Sequence, residues 1–187
     1  VGEHPTGSRD PFGLRRQAHG VIRTLVDLPA LTNLDVSLSL ADLVDAALDG
    51  TRKEDVALEG LSGFFLDRVC HLFEKRQFRQ DEINAIAGRE PTLDLIPLDL
   101  FRRLTALQSA RKSKEFESLA VLFKRVKNIT REFSLGAATD RGWRKRLSEP
   151  AELELLQECD RLAPLIKASI VKGDYDEIFL QASGLRL

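Results

Sequence analysis

From Phe116 onward apolar residues recur at steps of three and four, through Leu119, Leu122, Phe123, Val126 and Ile129 to Phe133. That is the period of an amphipathic helix with one buried stripe, and it predicts a helix from Ser113 to Phe133. On the same wheel Lys124, Lys127, Asn128 and Arg131 fall on the opposite, solvent side, with Arg125 at its edge. Ser113 is a suitable N-cap, and Glu115 and Glu117 suit the positive end of the helix dipole as the cations suit its last turns. A solvated basic face is the commoner explanation of such a cluster, which by itself says nothing about a bound polyanion.

The rest of the chain follows the same helical period. Asp10-Pro11 predicts a helix start, with Leu14, Ala18, Val21 and Leu25 as its inner stripe and an end near Asp27, before Pro29. Ser39 and Asp42 stand at capping-box spacing ahead of a helix over Leu40 to Leu48, closed by Gly50. A long helix is expected from Glu54 to Lys75, with Leu58, Leu61, Phe65, Val69 and Leu72 inward. Gly60 and Gly63 weaken it unless a neighbouring helix packs closely there. Shorter helices are expected over Arg79 to Ala87 and Leu98 to Gln108, and a loop over Ser134 to Trp143. A helix opening at Ser148 to Pro150 carries Leu153, Leu156 and Leu162 inward and is kinked or divided at Pro164. Asp174 and Glu177 then cap a final helix. No segment alternates with the period of a strand, so the fold class is all-α, a helical bundle.

Composition narrows the chemistry. The 187 residues carry a net charge of −1, yet between Phe101 and Arg146 thirteen Lys and Arg stand against four Asp and Glu, a local excess of about nine. Such asymmetry marks a local polyanion site. Cys70 and Cys159 are isolated within expected helices and read as buried free thiols. The three histidines are unclustered, and metal-ligand spacings, phosphate loops and nucleophile elbows are missing from the sequence. The segment carries no catalytic site in this reading, and a degraded HD-type phosphohydrolase fails for want of metal ligands. Apolar runs fall well short of the ~20 residues a membrane helix needs. The absence of any methionine and the opening at Val1 suggest a chain entered midway.

Two motifs suggest a family. SRDPFGLRRQAHGVIR, Ser8 to Arg23, resembles the Asp-Pro-Phe-Ala-Leu-Arg-Arg helix of the β subunit of bacterial tetrameric glycyl-tRNA synthetase, with Gly13 at the family's usual alanine. LAVLFKRVKNI, Leu119 to Ile129, resembles that subunit's Lys-Arg-Val-x-Asn-Ile helix. FFLDRV at Phe64, INAIAG at Ile83, Arg103 with Ala106-Leu107, the acidic helix at Glu149 to Glu158 and GDYDE at Gly173 fall in the family's order.

The resemblance implies an α2β2 glycine-tRNA ligase whose α subunit uses ATP to make glycyl-adenylate while β recognises tRNA-Gly. It implies a cytoplasmic protein with no membrane or DNA partner, and no cofactor in this segment. The helical fold would be related to the class Ia, arginyl-type anticodon-binding domain. Residues 1–97 would be a helical junction following an upstream HD-like domain, and 98–187 a partial anticodon-binding domain. The family continues past Leu187, so an apolar patch is expected near Tyr175 to Leu187. Lys124, Arg125, Lys127 and Arg131 are then candidates for RNA phosphates, and Asn128 for a base contact or a helix-end cap. Trp143 stacks a base or packs at a helix junction. Arg15, Arg16 and Arg23 serve RNA or the interface with the preceding domain. The rival reading is a structural connector whose cations pair with the acidic flanks, Glu152, Glu154 and Glu158 among them.

Overall fold

The computed structural model describes residues 10, 12–49, 60–88, 90–131 and 142–183. Its described elements are helical: α1 (Leu14–Thr32), α2 (Leu40–Ala47), α3 (Leu61–Lys75), α4 (Gln80–Ala87), α5 (Pro97–Ala110), α6 (Lys114–Ile129), a 3-10 turn (Trp143–Arg146), α7 (Pro150–Lys172) and α8 (Tyr175–Ser183). The all-α expectation is met among the described residues. The chain divides into two compact units, Val1–Thr105 and Ala106–Leu187, with the boundary inside α5.

In the first unit α1 packs on α3, and α3 on α4. Ile22, Leu25 and Val26 of α1, Leu40 of α2, Val69, Leu72 and Phe73 of α3, Ile83 of α4 and Leu104 of α5 share one core. The Phe73 ring lies edge-on to Phe78 and stacks with Phe101, at centroid distances of 6.0 and 6.3 Å. At the rim of that cluster the Arg76 guanidinium sits 4.9 Å from the Phe101 centroid and donates to Asp27 Oδ1 at 2.6 Å. It thereby joins the end of α3 to α5 through a cation–π contact and to α1 through an ion pair.

Several local signals are realised with shifted geometry. Asp10 caps α1 from outside it: a turn closed by the Gly13 N–H on the Asp10 carbonyl lets Oδ1 and Oδ2 accept from the N–H groups of Leu14 and Arg15 at 2.7 and 3.2 Å. Gly13 is therefore the N-cap in the left-handed region, φ 66°, and not a residue within the helix. A Cβ there would sit 3.1 Å from the Arg16 guanidinium. Pro11 lies outside the described residues.

Helix α1 runs on through Pro29 to Thr32, past the expected end at Asp27. Asn33 terminates it in the left-handed region, its N–H donating to the Pro29 carbonyl. A proline this close to a C-terminus removes only one intrahelical donor, which the helix tolerates. The buried stripe includes Ile22 and Val26, and Val21 faces solvent. Helix α3 starts at Leu61, with Gly60 as its left-handed N-cap, φ 75°, and not an interior residue. A Cβ at Gly63 would meet nothing within 4 Å, so close helix packing does not explain that glycine. Leu58, the expected start at Glu54, and Gly50 fall outside the described residues.

The Ser39–Asp42 capping box forms as expected: the Asp42 N–H donates to Ser39 Oγ at 3.0 Å and the Ser39 N–H to Asp42 Oδ2 at 2.8 Å. The next donors at that end, the N–H groups of Leu40 and Ala41, reach the carbonyls of Leu95 and Leu93. Backbone groups that a helix leaves unpaired thus tie α2 to the connector before α5.

The second unit is less enclosed. Helix α8 packs on both α6 and α7. Among the described residues, Leu162 of α7 and Ala106 of α5 are its buried apolar side chains. Helix α7 continues undivided through Pro164, and Leu153, expected inward, is exposed. Cys159, expected to be buried, is exposed too, whereas burial raises the pKa of the half-buried Cys70 thiol. Gly173 ends α7 at φ 67°, and the Glu177 N–H donates to Asp174 Oδ1 at 3.2 Å to cap α8.

Candidate nucleic-acid interface

The candidate face is built on α6. Ser113 caps it as expected, Oγ accepting from the Phe116 N–H at 3.2 Å, and Thr130 closes it with an N–H to the Val126 carbonyl. Lys124, Arg125, Lys127 and Asn128 lie on its last two turns and Arg131 in the turn beyond, all exposed. None of the four cations is ion-paired to a described residue, and Asn128 is not hydrogen-bonded as a helix-end cap.

The inner face departs from expectation. Phe116, Leu119 and Leu122 are half-buried, Phe116 against the Phe179 ring of α8 at 6.0 Å. Beyond them the stripe opens: Phe123 is 67% exposed, Val126 45% and Ile129 73%. The last two turns of α6 thus carry an open apolar stripe beside a cationic one without ion pairs to described residues. Periodicity placed Phe123 inside, and no sequence signal distinguishes a covered stripe from an open one. Phe133 and residues 134–141 of the loop expected over Ser134 to Trp143 lie outside the described residues, and Trp143 itself opens a 3-10 turn. Between the end of α5, α6 and α8 lies a cleft of about 370 Å³, lined by Ser109, Ser113, Phe116, Asp176 and Phe179 among others. Of the stretch where an apolar patch is expected, Tyr175 to Leu187, residues 184–187 lie outside the described residues and Leu180 is exposed.

Other sequence candidates are distributed differently. Trp143 opens the 3-10 turn, followed by three exposed cations. The first of these, Arg144, is committed internally: Nη1 and Nη2 donate to Asp160 Oδ2 and Oδ1 of α7 at 2.7 and 2.8 Å. Those hydrogen bonds hold the Asp160 carboxyl below its ordinary range and raise the Arg144 pKa. Glu158 is engaged by Arg161 of its own helix, at 2.7 and 2.8 Å, and Glu152 accepts from the N–H of Glu149 at the start of α7.

Arg15, Arg16 and Arg23 are carried by α1 in the first unit, and so lie outside the unit that holds α6. Arg23 pairs with Asp27 at 3.3 Å. Across α1 and α3, His19 and His71 approach to 6.1 Å between ring centroids. Partial burial lowers the His19 pKa, and the charges of His71, Arg23, Arg68 and Arg76 lower it further.

Among the described residues there is no cluster of three His, Cys, Asp or Glu able to hold a metal ion, and no helix long and apolar enough to cross a membrane. What α6 can do chemically is bind anions at exposed, unneutralised cations, with an amide donor and acceptor and an open aromatic ring on the same turns.

Comparison with known proteins agrees with the motifs. Residues 1–88 match the model of a family described as glycyl-tRNA synthetase beta subunit. The glycine–tRNA ligase beta subunit of Acidobacterium capsulatum is 34% identical over 200 residues, covering 100% of this chain and 26% of that protein. That of Acidovorax sp. strain JS42 is 35% identical over 178 residues, covering 94% of this chain and 23% of the relative. That of Citrobacter koseri is 30% identical, covering 100% and 26%. The chain therefore spans about a quarter of the length of these relatives. Matched along its whole length to their beta subunits, it belongs to the glycyl-tRNA synthetase β-subunit family.

Proposed function

We propose that this chain is a tRNA-recognition segment of a glycine-tRNA ligase β subunit, gripping the anticodon stem-loop of tRNA-Gly through α6. The observation that carries the reading is the set of cations Lys124, Arg125, Lys127 and Arg131, exposed and without an ion pair to a described residue, on the last turns of α6 and the turn beyond. Four arginines elsewhere are neutralised by acids of the same chain: Arg76 by Asp27, Arg102 by Asp35, Arg103 by Asp99 and Arg144 by Asp160. Cations left without such acids are available to phosphates. Phosphate contacts supply affinity and register without reading sequence, and Asn128 is placed to hydrogen-bond an unstacked loop base.

In this reading the segment performs no bond-making step. ATP-dependent aminoacylation belongs to the α subunit of the holoenzyme, which acts in the cytoplasm, and this segment needs no cofactor of its own. The helical domain over residues 98–187 is the arginyl-type anticodon-binding element, and 1–97 the junction that carries it. Arg15, Arg16 and Arg23 belong to that junction. A second reading, a connector without RNA contact, is favoured by the bidentate Arg144–Asp160 pair, which spends one cation of the basic segment on an acid of α7.

The test is a titration of the chain with a glycine tRNA anticodon stem-loop and with one of altered loop sequence, across a salt series. A Lys124→Ala, Lys127→Ala, Arg131→Ala variant is measured alongside. Binding that prefers the native loop, with a salt slope flattened by roughly one unit per lost contact in the variant, is the expected result. Binding blind to the loop, or unchanged in the variant, assigns the segment to the connector reading.

A further inference from the structure

Phe123 is the most exposed aromatic ring of α6, and it makes no ring contact with a described residue. Lys124 follows it in the chain and Lys127 stands one turn on, where i and i+4 side chains lie about 5–6 Å apart at Cβ. Both lysines are exposed and without an ion pair to a described residue, and a lysine stem is long and flexible enough to carry its ammonium around a neighbouring ring. An open aromatic face flanked by unneutralised ammonium groups is the pairing that single-stranded nucleic acid uses: the ring takes a base, the cations its phosphates.

We propose that Phe123 is the stacking platform for one unpaired base of the bound RNA, with Lys124 and Lys127 holding the phosphates beside it. The assignment rests on the RNA reading above and names the ring that reading lacks. The alternative occupant is another helix laid along Phe123, Val126 and Ile129. These three side chains expose on the order of 300 Å², well below the roughly 800 Å² per partner of a stable protein interface. Stacking with ionic contacts works over a few residues, and it explains why the cations beside the ring are unpaired.

The experiment uses the full chain and anticodon stem-loops in which each loop base in turn is replaced by 2-aminopurine, whose fluorescence reports stacking. Wild type is compared with Phe123→Ala, Phe123→Leu and Phe123→Trp. The proposal expects one loop position to change fluorescence on binding. That change should be lost in the alanine and leucine variants, retained with tryptophan, and accompanied by roughly tenfold weaker binding at an unchanged salt slope. The leucine variant keeps apolar bulk, so a loss there reports the ring and not packing.

If wild type binds with the salt dependence that the lysines confer but every Phe123 variant binds and fluoresces alike, stacking is overturned and the RNA reading stands. If wild type binds no stem-loop, both fall. A fall in thermal midpoint shared by the alanine and leucine variants, with no change in fluorescence, makes Phe123 a packing residue and overturns the proposal in favour of a covering helix.

Discussion

The two units of this chain solve the same problem, burying the stripe of an amphipathic helix, to different extents. In Val1–Thr105 five helices contribute to one core, and Ile22, Leu40, Val69, Phe73, Ile83 and Leu104 are completely buried. Among the described residues of Ala106–Leu187 the buried apolar side chains are Ala106 and Leu162, while Phe123, Ile129, Val171 and Leu180 are exposed. The difference is not one of hydrophobic content or caps, since Ser113 and Asp174 cap α6 and α8 as well as Ser39 caps α2. It lies in how many helices share a face. In the first unit α3 packs on both α1 and α4 and side chains of five helices meet in one core, whereas α6 is covered by α8 along only part of its length.

The sharpest way to break this comparison is to cut a large side chain from each core. Phe73→Ala removes a ring that touches Phe78 and Phe101 and should destabilise the first unit by about 3–5 kcal/mol. Leu162→Ala in α7 should cost about 2 kcal/mol, the low end for such a change, because an open surrounding collapses more easily into the space. Hydrogen exchange checks both: protection should fall in α1, α3 and α4 for the first variant and in α7 and α8 for the second. Equal losses in both units from either substitution would mean that they share one cooperative core.

A smaller, pH-dependent effect belongs to the first unit alone. His19 has its pKa lowered, by partial burial first and then by the nearby charges of His71, Arg23, Arg68 and Arg76. The unfolded chain therefore takes up its proton before the folded chain does, at the ordinary value near 6.5. The stability from neutral His19 is complete above that value and is lost as pH falls from about 6.5 through the lower folded pKa. The thermal midpoint should decline over that window, and His19→Gln should reduce the slope without removing what the acids contribute at still lower pH.

The smallest effect is expected where the second unit is most open. Val171 is 88% exposed, so Val171→Ser should change stability by no more than about 0.5 kcal/mol, measured by urea denaturation. A larger loss would show that this face of α7 is covered in solution.

Much of the fold was legible in the residues. Caps act within three or four positions, so Ser39 with Asp42, Ser113, and Asp174 with Glu177 announce helix starts that tertiary packing has little reason to move. Glycines were harder to read. Gly13 and Gly60 looked like helix-interior residues, but each takes the left-handed conformation at the start of its helix, which apolar spacing does not report. Of the candidate site, the cations and Asn128 were legible because a helix wheel reports which residues share a side. Phe123 was not, because the same wheel assigns it to the inner stripe.

That inner stripe separates what the chain's order of residues determined from what only its packing decided. Local order determined that the protein is helical, where most helices begin, and that α6 has an apolar side and a cationic one. Packing decided how much of the apolar side is covered. At 1.5 Å per residue, the 16 residues of α6 extend about 24 Å and the 9 of α8 about 13 Å. A helix of that length shields the turns around Phe116 and leaves those around Phe123 and Ile129 open. Periodicity encodes the side a residue is on, and the length and position of the neighbouring helix determine whether that side meets protein or water.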